Sequence, residues 1–527
     1  MRGRAWAGAL ALVLLGAAGC SGDGGGGGGA PPDDRSARAG TLRVLASSEL
    51  ADMAPVLENA RRSTGVEVRP TWTGTLDAVE QIASGKADGA YDAVWLSSND
   101  SLRLRPEAAG RLTSETSVMT SPVAIGVRDS AIRRLGWSTD RVSWADVHRA
   151  VAQKRLTYGM SDPVRSHSGF AALVSVASAL SGAQGALSDA DVRKAAPRMK
   201  EFFAGQELTS GSSGWLAQAY TRRGNVDALI NYESVLLSMD RDGRSDRDGL
   251  TVIRPKDGVV TADYPFSTLT SASARAKEDG AKLTGYLRSA AAQRELASTT
   301  FRRPVVGATG AADRRELPFP GSRSVADGLL ASYENVLRRP SRTVYVLDTS
   351  GSMRGKRLEE LKDALGRLTG TAGSPVGRRF RDREEVTLMP FGSAVKEVVR
   401  QTVDPVRPAA ALDAIRGASQ ALEAAGGTAI YSSLREAYER LGPRGAAFTS
   451  VVLMTDGQNT GGASASDFDA YYAGLPADRR GTPVFPVLFG DSDRKELEHL
   501  AALTGGQLFD ARSGSLDRAF EEIRGYQ

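Results

Sequence analysis

Thiols and imidazoles are scarce in this sequence. Its 527 residues include one cysteine, Cys20, and three histidines, His148, His167 and His499. A single thiol excludes an internal disulfide and a thiolate metal site, so the folded part must be stabilised by packing alone. The histidines lie far apart, and none recurs at metal-ligand spacing, which argues against a zinc centre built on imidazoles.

Blocks of like charge are also missing. Lys and Arg number 67 against 62 for Asp and Glu, a formal net charge of +5, and the two signs are interspersed. Without a dense basic block, the sequence does not indicate nucleic-acid binding. The only long apolar run lies in the first twenty residues, so we expect the rest of the chain to be soluble and folded.

The N-terminus has the pattern of a secretory signal peptide over residues 1–20. Two arginines precede an apolar stretch over 5–15, and small residues then lead to Cys20. Because this cysteine follows Ala-Ala-Gly, the segment resembles the lipobox of bacterial lipoproteins, although Ala17 stands where leucine is usual. The resemblance implies acylation of Cys20 and a cell-membrane location, lipid-anchored on the extracytoplasmic face. The alternative is an ordinary signal peptide with a chance cysteine.

A flexible linker is expected over residues 21–40. This segment has six consecutive glycines followed by prolines and acidic residues. Such a composition buries little apolar surface and behaves as a tether. We expect the linker to hold the first domain clear of the membrane.

Residues 41–310 alternate short apolar runs with helical ones. The pattern predicts a mainly parallel α/β lobe, then a strand over 123–127 that leads into a second lobe. One lobe, a crossing strand, a second lobe and a return together resemble the extracytoplasmic solute-binding proteins of bacterial transporters. The resemblance rests on Ser47-Ser48, the segment SDPVRSHSGF at 161–170, and a late helix followed by FRRPV. It implies a two-lobed, periplasmic-binding-protein-like (type II) fold.

A connecting segment and helix are expected over residues 311–340. The first part is polar and contains proline, and the helix is stopped by Pro340. Its apolar residues recur at helical spacing: Val325, Leu329, Tyr333, Val336 and Leu337. We expect this apolar stripe to pack on one of the flanking domains.

Residues 341–527 show a third pattern, in which strands and helices alternate to the end. Strands are expected over 342–347, 386–391, 396–400, 450–455, 483–489 and 507–511. The alternation predicts a doubly wound, Rossmann-like sheet with a ligand crevice at the carboxyl ends of its strands. Pro486 cannot donate to the ladder, so its strand should carry a bulge or lie at an edge there.

Three alternate side chains that carry oxygen, Asp348, Ser350 and Ser352, follow the first of these strands in the sequence DTSGS at 348–352. A strand-to-helix loop at the binding edge points alternate residues the same way. Carboxylates and hydroxyls suit a hard cation such as Mg²⁺, which prefers oxygen ligands. The alternative is a helix-cap loop that happens to be rich in Ser and Asp.

The spacing D-x-S-x-S resembles the metal-ion-dependent adhesion site of the von Willebrand factor A (VWA) and integrin inserted-domain family. Thr428, after Gly426-Gly427, and Asp456, at the end of SVVLMTDG, extend the match to three separated elements. The resemblance implies a site for Mg²⁺, or for Mn²⁺ or Ca²⁺, formed by Asp348, Ser350, Ser352, Thr428 and Asp456. It further implies a protein partner that supplies a carboxylate to the open coordination position.

The first domain carries a second group of candidates, at positions where helices are expected to begin and, for Ser121, beside the strand that crosses between the lobes. They are Ser47, Ser48, Thr73, Thr75, Ser121, Ser166, Ser168, Asn231 and Tyr232. Helix N-termini offer free amide donors and partial positive charge, so several in one cleft would suit a small anionic or polar solute. Ordinary helix capping by Ser and Thr is the alternative.

Motifs for catalysis are lacking, and we do not expect an enzyme. No G-x-S-x-G elbow accompanies His167, and GSMRGKR at 351–357 is one residue short of a phosphate loop. The sequence therefore predicts a cell-surface lipoprotein that mediates divalent-cation-dependent protein binding or adhesion. Two alternatives stay open: a transporter receptor whose VWA-like domain docks a partner, and a metal-dependent hydrolase.

Overall fold

We describe the protein from a computed structural model. The structure describes residues 40–224, 226–241, 243, 248–307, 315–370, 379–442, 445–512 and 516–527. The expected signal peptide, Cys20, the linker before Gly40 and part of the connecting segment lie outside these residues. Within them, no helix has both the length and the apolarity needed to cross a membrane.

The strands are short and distributed along the whole described chain. They are β1 Thr41–Ser47, β2 Glu67–Thr73, β3 Ala93–Trp95, β4 Thr116–Ser117, β5 Met119–Arg128, β6 Tyr158–Met160, β7 Gln206–Leu208, β8 Ala228–Tyr232, β9 Leu250–Ile253, β10 Thr261–Ala262, β11 Pro265–Thr268, β12 Arg303–Pro304, β13 Ser341–Asp348, β14 Glu385–Phe391, β15 Val399–Thr402, β16 Phe448–Thr455, β17 Val484–Leu488 and β18 Phe509–Asp510.

Helices separate most of these strands. They are α1 Ala54–Thr64, α2 Thr75–Ala83, α3 Asp100–Arg103, α4 Asp129–Leu135, α5 Trp144–Ala152, α6 His167–Ser181, α7 Asp189–Phe203, α8 Ser213–Arg223, α9 Glu233–Arg241, α10 Ala274–Leu287, α11 Ala290–Thr300, α12 Arg323–Ser332, α13 Lys356–Leu368, α14 Pro408–Gln420, α15 Ile430–Leu441, α16 Ala465–Gly474, α17 Ala477–Arg480, α18 Arg494–Thr504 and α19 Leu516–Arg524. Short 3₁₀ turns cover Ser48–Met53, Pro106–Ala108 and Gly351–Met353.

The first lobe is built on a five-stranded sheet in the order β2-β1-β3-β11-β4. Strand β1 runs parallel to β2 and β3, whereas β11 is antiparallel to β3 and β4. Since β11 comes from beyond the second lobe in sequence, the chain leaves the first lobe and returns to it. This crossing confirms the expected two-lobed topology.

The second lobe has a sheet in the order β10-β5-β8-β6-β7, and β9 and β12 also pair with β5. The crossing strand expected over 123–127 is confirmed, but β5 is longer and covers Met119–Arg128. Its pairings with β8, β9, β10 and β12 are all antiparallel. Both lobes therefore contain mixed sheets, because the crossing and returning strands run against their neighbours.

The third sheet has the order β15-β14-β13-β16-β17-β18 and is parallel except for the β14–β15 pair. The strand expected over 396–400 starts later, at Val399, because Val395 pairs back with Phe391 in a tight turn. Pro486 pairs with Leu453 in regular register, while the two-residue β18 pairs only with Val487 and Leu488. At Pro486 the strand therefore lies at a local edge of the sheet, without a bulge.

Successive residues of β13, in the third sheet, pack against helices on opposite faces of the sheet. Val344 and Val346 of β13 pack in a cluster with α15, α16 and α18, whereas Tyr345 and Leu347 belong to a larger cluster that extends through both lobes. This alternation is the two-residue period of a strand. It places helices on both faces of the sheet, the doubly wound arrangement expected from the sequence.

The connecting helix α12 continues as a π-helical turn over Tyr333–Leu337. Four residues of its expected stripe are buried, but Val336 is 50% exposed, so its inclusion in the stripe was wrong. The π turn shifts the angular position of the last turn, which carries Val336 away from the packed face. The Tyr333 hydroxyl donates to Gln206 Oε1 at 2.9 Å, so the segment packs on the second lobe.

A buried charge cluster joins the third sheet to the second lobe. The guanidinium of Arg381, 3% exposed, donates to Glu334, to Asp162 Oδ2 at 3.1 Å and to the carbonyl oxygen of Arg524 at 3.1 Å. Arg524 in turn bonds Glu384, and both side chains are fully buried. Residues Gly40–Gln527 accordingly form one compact unit.

Candidate functional site

The turn after β13 is organised by the carboxylate of Asp348, which is fully buried. Its Oδ1 accepts the amide hydrogen of Ser350 at 2.8 Å, and its Oδ2 accepts the hydroxyl of Thr455 at 2.7 Å. Thr455 ends β16, so Asp348 ties together the carboxyl ends of two adjacent parallel strands. The loop that carries Ser350 and Ser352 is thereby fixed at this edge of the sheet.

A chain of hydrogen bonds then links this loop to the last predicted ligand. The Oγ atoms of Ser350 and Ser352 lie 2.9 Å apart, and Ser352 Oγ donates to Asp456 Oδ1 at 2.8 Å. Ser352 is exposed, whereas Asp348, Ser350 and Asp456 are buried. The chain therefore connects two buried carboxylates through the amide and hydroxyl of Ser350 and the hydroxyl of exposed Ser352.

Thr428 is brought to the same edge by its loop. Gly351 donates its amide hydrogen to Gly426 O at 2.9 Å, and Ala425 donates to Thr349 O at 2.8 Å. Gly426 has a φ of 89°, which favours glycine, and this permits the tight turn. The amide of Thr428 donates to Thr460 Oγ1 at 2.8 Å, and Thr428 itself is buried.

The candidate residues of the two lobes also lie close together, but most of their hydroxyl groups contact other serine and threonine hydroxyls. In the first lobe, Thr75 Oγ1 lies 2.7 Å from Ser47 Oγ and 2.8 Å from Ser97 Oγ. In the second, Ser168 Oγ lies 3.0 Å from Ser166 Oγ and 2.7 Å from Ser213 Oγ. Neither Ser47 nor Ser166 caps its helix through the side chain, so simple capping does not explain these hydroxyls.

Several bonds close the cleft directly between the lobes. Ser48 Oγ donates to Ser212 Oγ at 2.7 Å, and the Leu76 amide donates to Arg165 O at 3.0 Å. Arg165 also forms an ion pair of 2.9 Å with Asp77. At Gly74 a Cβ atom would lie 2.5 Å from Arg165 O, so the backbones are in close contact.

The remaining cleft candidates serve local structure. Ser121 Oγ accepts the amide hydrogen of Ser234 at 3.1 Å, and Asn231 Nδ2 donates to Ser213 O at 3.0 Å. Thr73 lies at the end of β2 and is buried. Tyr232 belongs to a different polar cluster, described below.

Family models match both halves of the chain. Residues 42–302 match the model for bacterial extracellular solute-binding proteins, and residues 344–522 match that of the von Willebrand factor type A domain. The chain joins a solute-binding domain to a VWA domain. No curated protein matches it.

Solved structures with similar folds align with about half of the chain. One is the periplasmic binding protein AfuA from Actinobacillus pleuropneumoniae with exogenous fructose-6-phosphate bound, at 12% identity and a TM-score of 0.45, covering 56% of this chain and 97% of that chain. Another is the sulfate-binding protein SubI from Mycobacterium tuberculosis H37Rv, at 17% identity and a TM-score of 0.41, covering 53% and 94%. A third is the ferric binding protein from Campylobacter jejuni, at 11% identity and a TM-score of 0.41, covering 55% and 98%.

Electrostatics at the edge of the VWA domain favour a cation. Burial raises the pKa of Asp348, its bonds to Thr455 and Ser350 oppose this rise, and the nearby charge of Asp456 adds to it. Two carboxylates so placed repel each other and are costly to keep ionised without a positive charge nearby. Lys396 is one such charge: burial lowers its pKa, and the charges of Asp348 and Glu423 oppose this lowering.

The donor set at this edge fits a hard divalent cation. The five candidate residues offer carboxylate and hydroxyl oxygens, which suit Mg²⁺, Mn²⁺ or Ca²⁺. In the part of the chain that the structure describes, no group of three or more His, Cys, Asp or Glu side chains is arranged to hold a metal. The hydroxyls of Ser350, Ser352 and Thr428 are therefore needed to complete such a site.

Two charged residues at this edge, Arg357 and Asp491, were not predicted from the sequence. Arg357, in the first turn of α13, donates to Asp456 Oδ2 at 2.6 Å and to Asp491 Oδ2 at 2.8 Å. Asp491 follows β17, and its amide donates to Asp456 O at 2.9 Å. The rule that parallel strands end at a common edge would have pointed to Asp491, whereas only the fold shows that Arg357 reaches Asp456.

The solute-binding domain contains a further cluster that was missed. Glu49, 6% exposed, accepts the hydroxyl of Ser97 at 2.6 Å, and burial raises the pKa of Glu49. His167 Nδ1 lies 2.9 Å from the Tyr232 hydroxyl, and burial lowers the pKa of His167 to about 4, so it is neutral at pH 7. Within the described residues, His167 Nε2 and Asn99 Oδ1 are buried without a hydrogen-bond partner.

Proposed function

We propose that the VWA domain binds another protein through a divalent cation. The observation that carries this proposal is the continuous chain from Asp348 through the loop of Ser350 and Ser352 to Asp456. Three separate segments of the sequence supply these groups and Thr428, and the fold holds them at one edge. A helix-cap loop alone needs no such convergence.

Asp348, Ser350, Ser352, Thr428 and Asp456 would hold the cation, with Mg²⁺ as the first candidate and Mn²⁺ or Ca²⁺ as alternatives. When bound, the cation supplies a Lewis-acidic position that accepts a carboxylate oxygen from the partner. The protein residues orient this position, because Asp348 is fixed by Thr455 and Asp456 accepts the hydroxyl of Ser352. Exposed Ser352 marks the side from which the partner approaches.

We also propose that the protein acts at the outer face of the membrane. Its first domain matches a family of extracellular proteins, and Cys20 is placed for acylation. Membrane fractionation of wild type and Cys20→Ser tests the anchor. The variant should lose its lipid and become soluble; an equally acylated and membrane-bound variant would show that the anchor lies elsewhere.

The direct test of partner binding is retention of cell-envelope proteins on the immobilised protein. We expect a protein that is retained in Mg²⁺ or Mn²⁺, released by EDTA, and not retained by Asp348→Ala. Asp363→Ala is the matched control, because Asp363 is an exposed aspartate on α13 outside the site. The same protein held by Asp348→Ala or after EDTA would contradict a cation-dependent interaction.

A solute receptor is the second candidate function, favoured by the buried cluster around Glu49 and His167. Unpartnered polar atoms at this depth are rare and call for water or a ligand. The carboxyl group of Glu49 favours a neutral or cationic polar solute over the anion expected from helix N-termini. Thermal-shift screening of amines, polyols and oxyanions tests this: a specific rise in Tm lost in Glu49→Gln supports a receptor, and no rise with any class argues against one.

For both domains we propose binding without catalysis. The VWA edge combines its carboxylates with hydroxyls and an arginine, and the described histidines lie elsewhere: His148 pairs with Glu201, and His499 with Asp469. A metal-dependent hydrolase is tested with ester and phosphoester panels in Mn²⁺. Turnover that disappears in Asp348→Ala would establish hydrolysis.

A further inference from the structure

Arg357 already provides a positive charge where the cation is proposed to bind. Its Nη1 contacts Asp456 Oδ2 at 2.6 Å, and the Asp456 side chain is fully buried. Both contacts, with Asp456 and with Asp491, raise the pKa of the guanidinium. A buried carboxylate without a counter-charge is costly, so the guanidinium of Arg357 stabilises the side chain of Asp456 in its buried position.

The two cationic side chains at this edge differ in their freedom to move. Lys396 Nζ donates to two backbone carbonyls, Thr349 O at 3.0 Å and Glu423 O at 2.9 Å, and is fixed between two loops. Arg357 is 34% exposed, and its second partner, Asp491, is 86% exposed. The contact with Asp491 is an exposed pair that contributes little to stability, so the guanidinium can exchange it for another acid.

A divalent cation and Arg357 would neutralise the same carboxylate. Like charges near one carboxylate repel, so binding of the cation weakens the hold of Asp456 on the guanidinium. Gly490 keeps the neighbouring loop close, since a Cβ there would lie 3.0 Å from Asp456 Cβ and 3.1 Å from Arg357 Cζ. An arginine released from Asp456 therefore stays at the rim of the site.

We propose that Arg357 is the resident counter-cation of Asp456, that it yields Asp456 to the divalent cation, and that it then binds the acidic group of the partner. Asp491 acts as an internal acid that competes with the partner for the same guanidinium. This inference rests on the proposed function, because it assigns a role at the same site. It adds a positioning residue that links metal occupancy to recognition of an acid.

Calorimetric titration with Mn²⁺ alone tests the first step. Arg357→Gln should bind Mn²⁺ about threefold to tenfold more tightly than wild type, because a competing positive charge is gone. Arg357→Lys keeps the charge and should stay near wild type. Arg354→Gln is the matched control, since Arg354 precedes the same helix and its guanidinium donates to the Ala424 carbonyl oxygen at 3.4 Å.

The sign of the change decides between two roles of Arg357. A residue that only held Asp456 in place would weaken Mn²⁺ binding when replaced by Gln, and this result, or an unchanged affinity, would overturn the proposal. If wild type itself binds no Mn²⁺, the proposed function fails and this inference fails with it. Wild-type binding with a wrong sign for Arg357→Gln defeats the inference alone.

The second step is tested with acetate as a model of the partner's acid. Acetate should displace water from protein-bound Mn²⁺, which lowers the enhancement of water proton relaxation. Arg357→Gln should need more acetate than wild type for the same loss, and Asp491→Asn should need less. Equal acetate dependence in all three proteins would overturn the role of Arg357 in binding the acid.

Discussion

The edge of the VWA domain and the cleft of the solute-binding domain are both rich in buried hydroxyls at the ends of strands and the beginnings of helices. At the edge, the hydroxyl of Ser352 donates to a carboxylate of a different loop. In the cleft, Ser48 bonds Ser212, and Ser168 bonds Ser213, hydroxyl to hydroxyl. Residue type alone therefore does not define a site, and neither does a carboxylate at the end of a hydroxyl network, since Ser97 in the cleft donates to Glu49 at 2.6 Å. The two regions differ in exposure, because the network at the edge reaches the surface at Ser352.

The two regions also differ in whether the other domain packs against them. The edge is open at Ser352, whereas the cleft loop containing Asp162 and Arg165 is supported by the VWA domain. Arg381 reaches Asp162, and Gly525 packs so closely that a Cβ would lie 2.5 Å from Gly211 Cα. The second domain thus stabilises the closed arrangement of the first.

The largest expected effect concerns this support. Arg381→Ala leaves Glu334 and Asp162 buried without their counter-charge, so we expect the free energy of unfolding to fall by about 3–5 kcal/mol. Urea unfolding measures it. Arg440→Ala removes an exposed pair with Glu436 and should cost under about 0.5 kcal/mol. Equal losses in the two variants would mean that the buried cluster does not join the domains.

A smaller effect is expected from the hydroxyl of Thr428. Thr428→Val keeps the shape but removes the oxygen, and Mn²⁺ binding should weaken about tenfold, or ~1.4 kcal/mol. Thr428→Ser retains the hydroxyl and should stay near wild type. If calorimetry finds the same Mn²⁺ affinity in Thr428→Val and wild type, Thr428 is not a ligand and the site has four protein ligands.

In the cleft, loss of one hydroxyl should lower the free energy of unfolding only slightly. Ser212→Ala removes the cross-lobe bond with Ser48, and we expect a decrease of about 1 kcal/mol in the free energy of unfolding, without any change in Mn²⁺ affinity. Ser298→Ala, at an exposed helical position, should change stability by less than about 0.5 kcal/mol. Weaker Mn²⁺ binding in Ser212→Ala would contradict the separation of the two regions.

The smallest effect concerns pH. Burial raises the pKa of Glu49 above its ordinary 4.5, so the folded state holds this proton more tightly than the unfolded state. Stability from Glu49 is full below about pH 4.5 and is lost as pH rises through the folded pKa. Glu49→Gln should therefore gain Tm over wild type at pH 8 but not at pH 4. A constant difference in Tm across this range would show that Glu49 titrates normally.

Much of the VWA edge was predictable because its residues lie in short, local motifs. Asp348, Ser350 and Ser352 share one loop, and Asp456 ends a strand whose hydrophobic pattern is clear. Arg357 was not predictable, since an arginine in the first turn of a helix is an ordinary surface residue. Its contact with Asp456 depends on how the start of α13 meets a loop 99 residues further along the chain.

The solute-binding domain was predictable in topology but not in its contacts. The crossing strand followed from local patterns, whereas the partners of Ser48 and Ser168 depend on the closure of two lobes. Val336 fitted the helical spacing, but a π-helical turn carried it to the surface. The charge cluster around Arg381 could not be predicted, because its members come from both domains.

The most direct test of the central claim is calorimetric titration of the purified protein with Mn²⁺. Wild type should bind one ion, Asp363→Ala should match it, and Asp348→Ala should lose at least about a hundredfold in affinity, or ~2.8 kcal/mol. Equal affinity in wild type and Asp348→Ala would contradict a metal site at this edge.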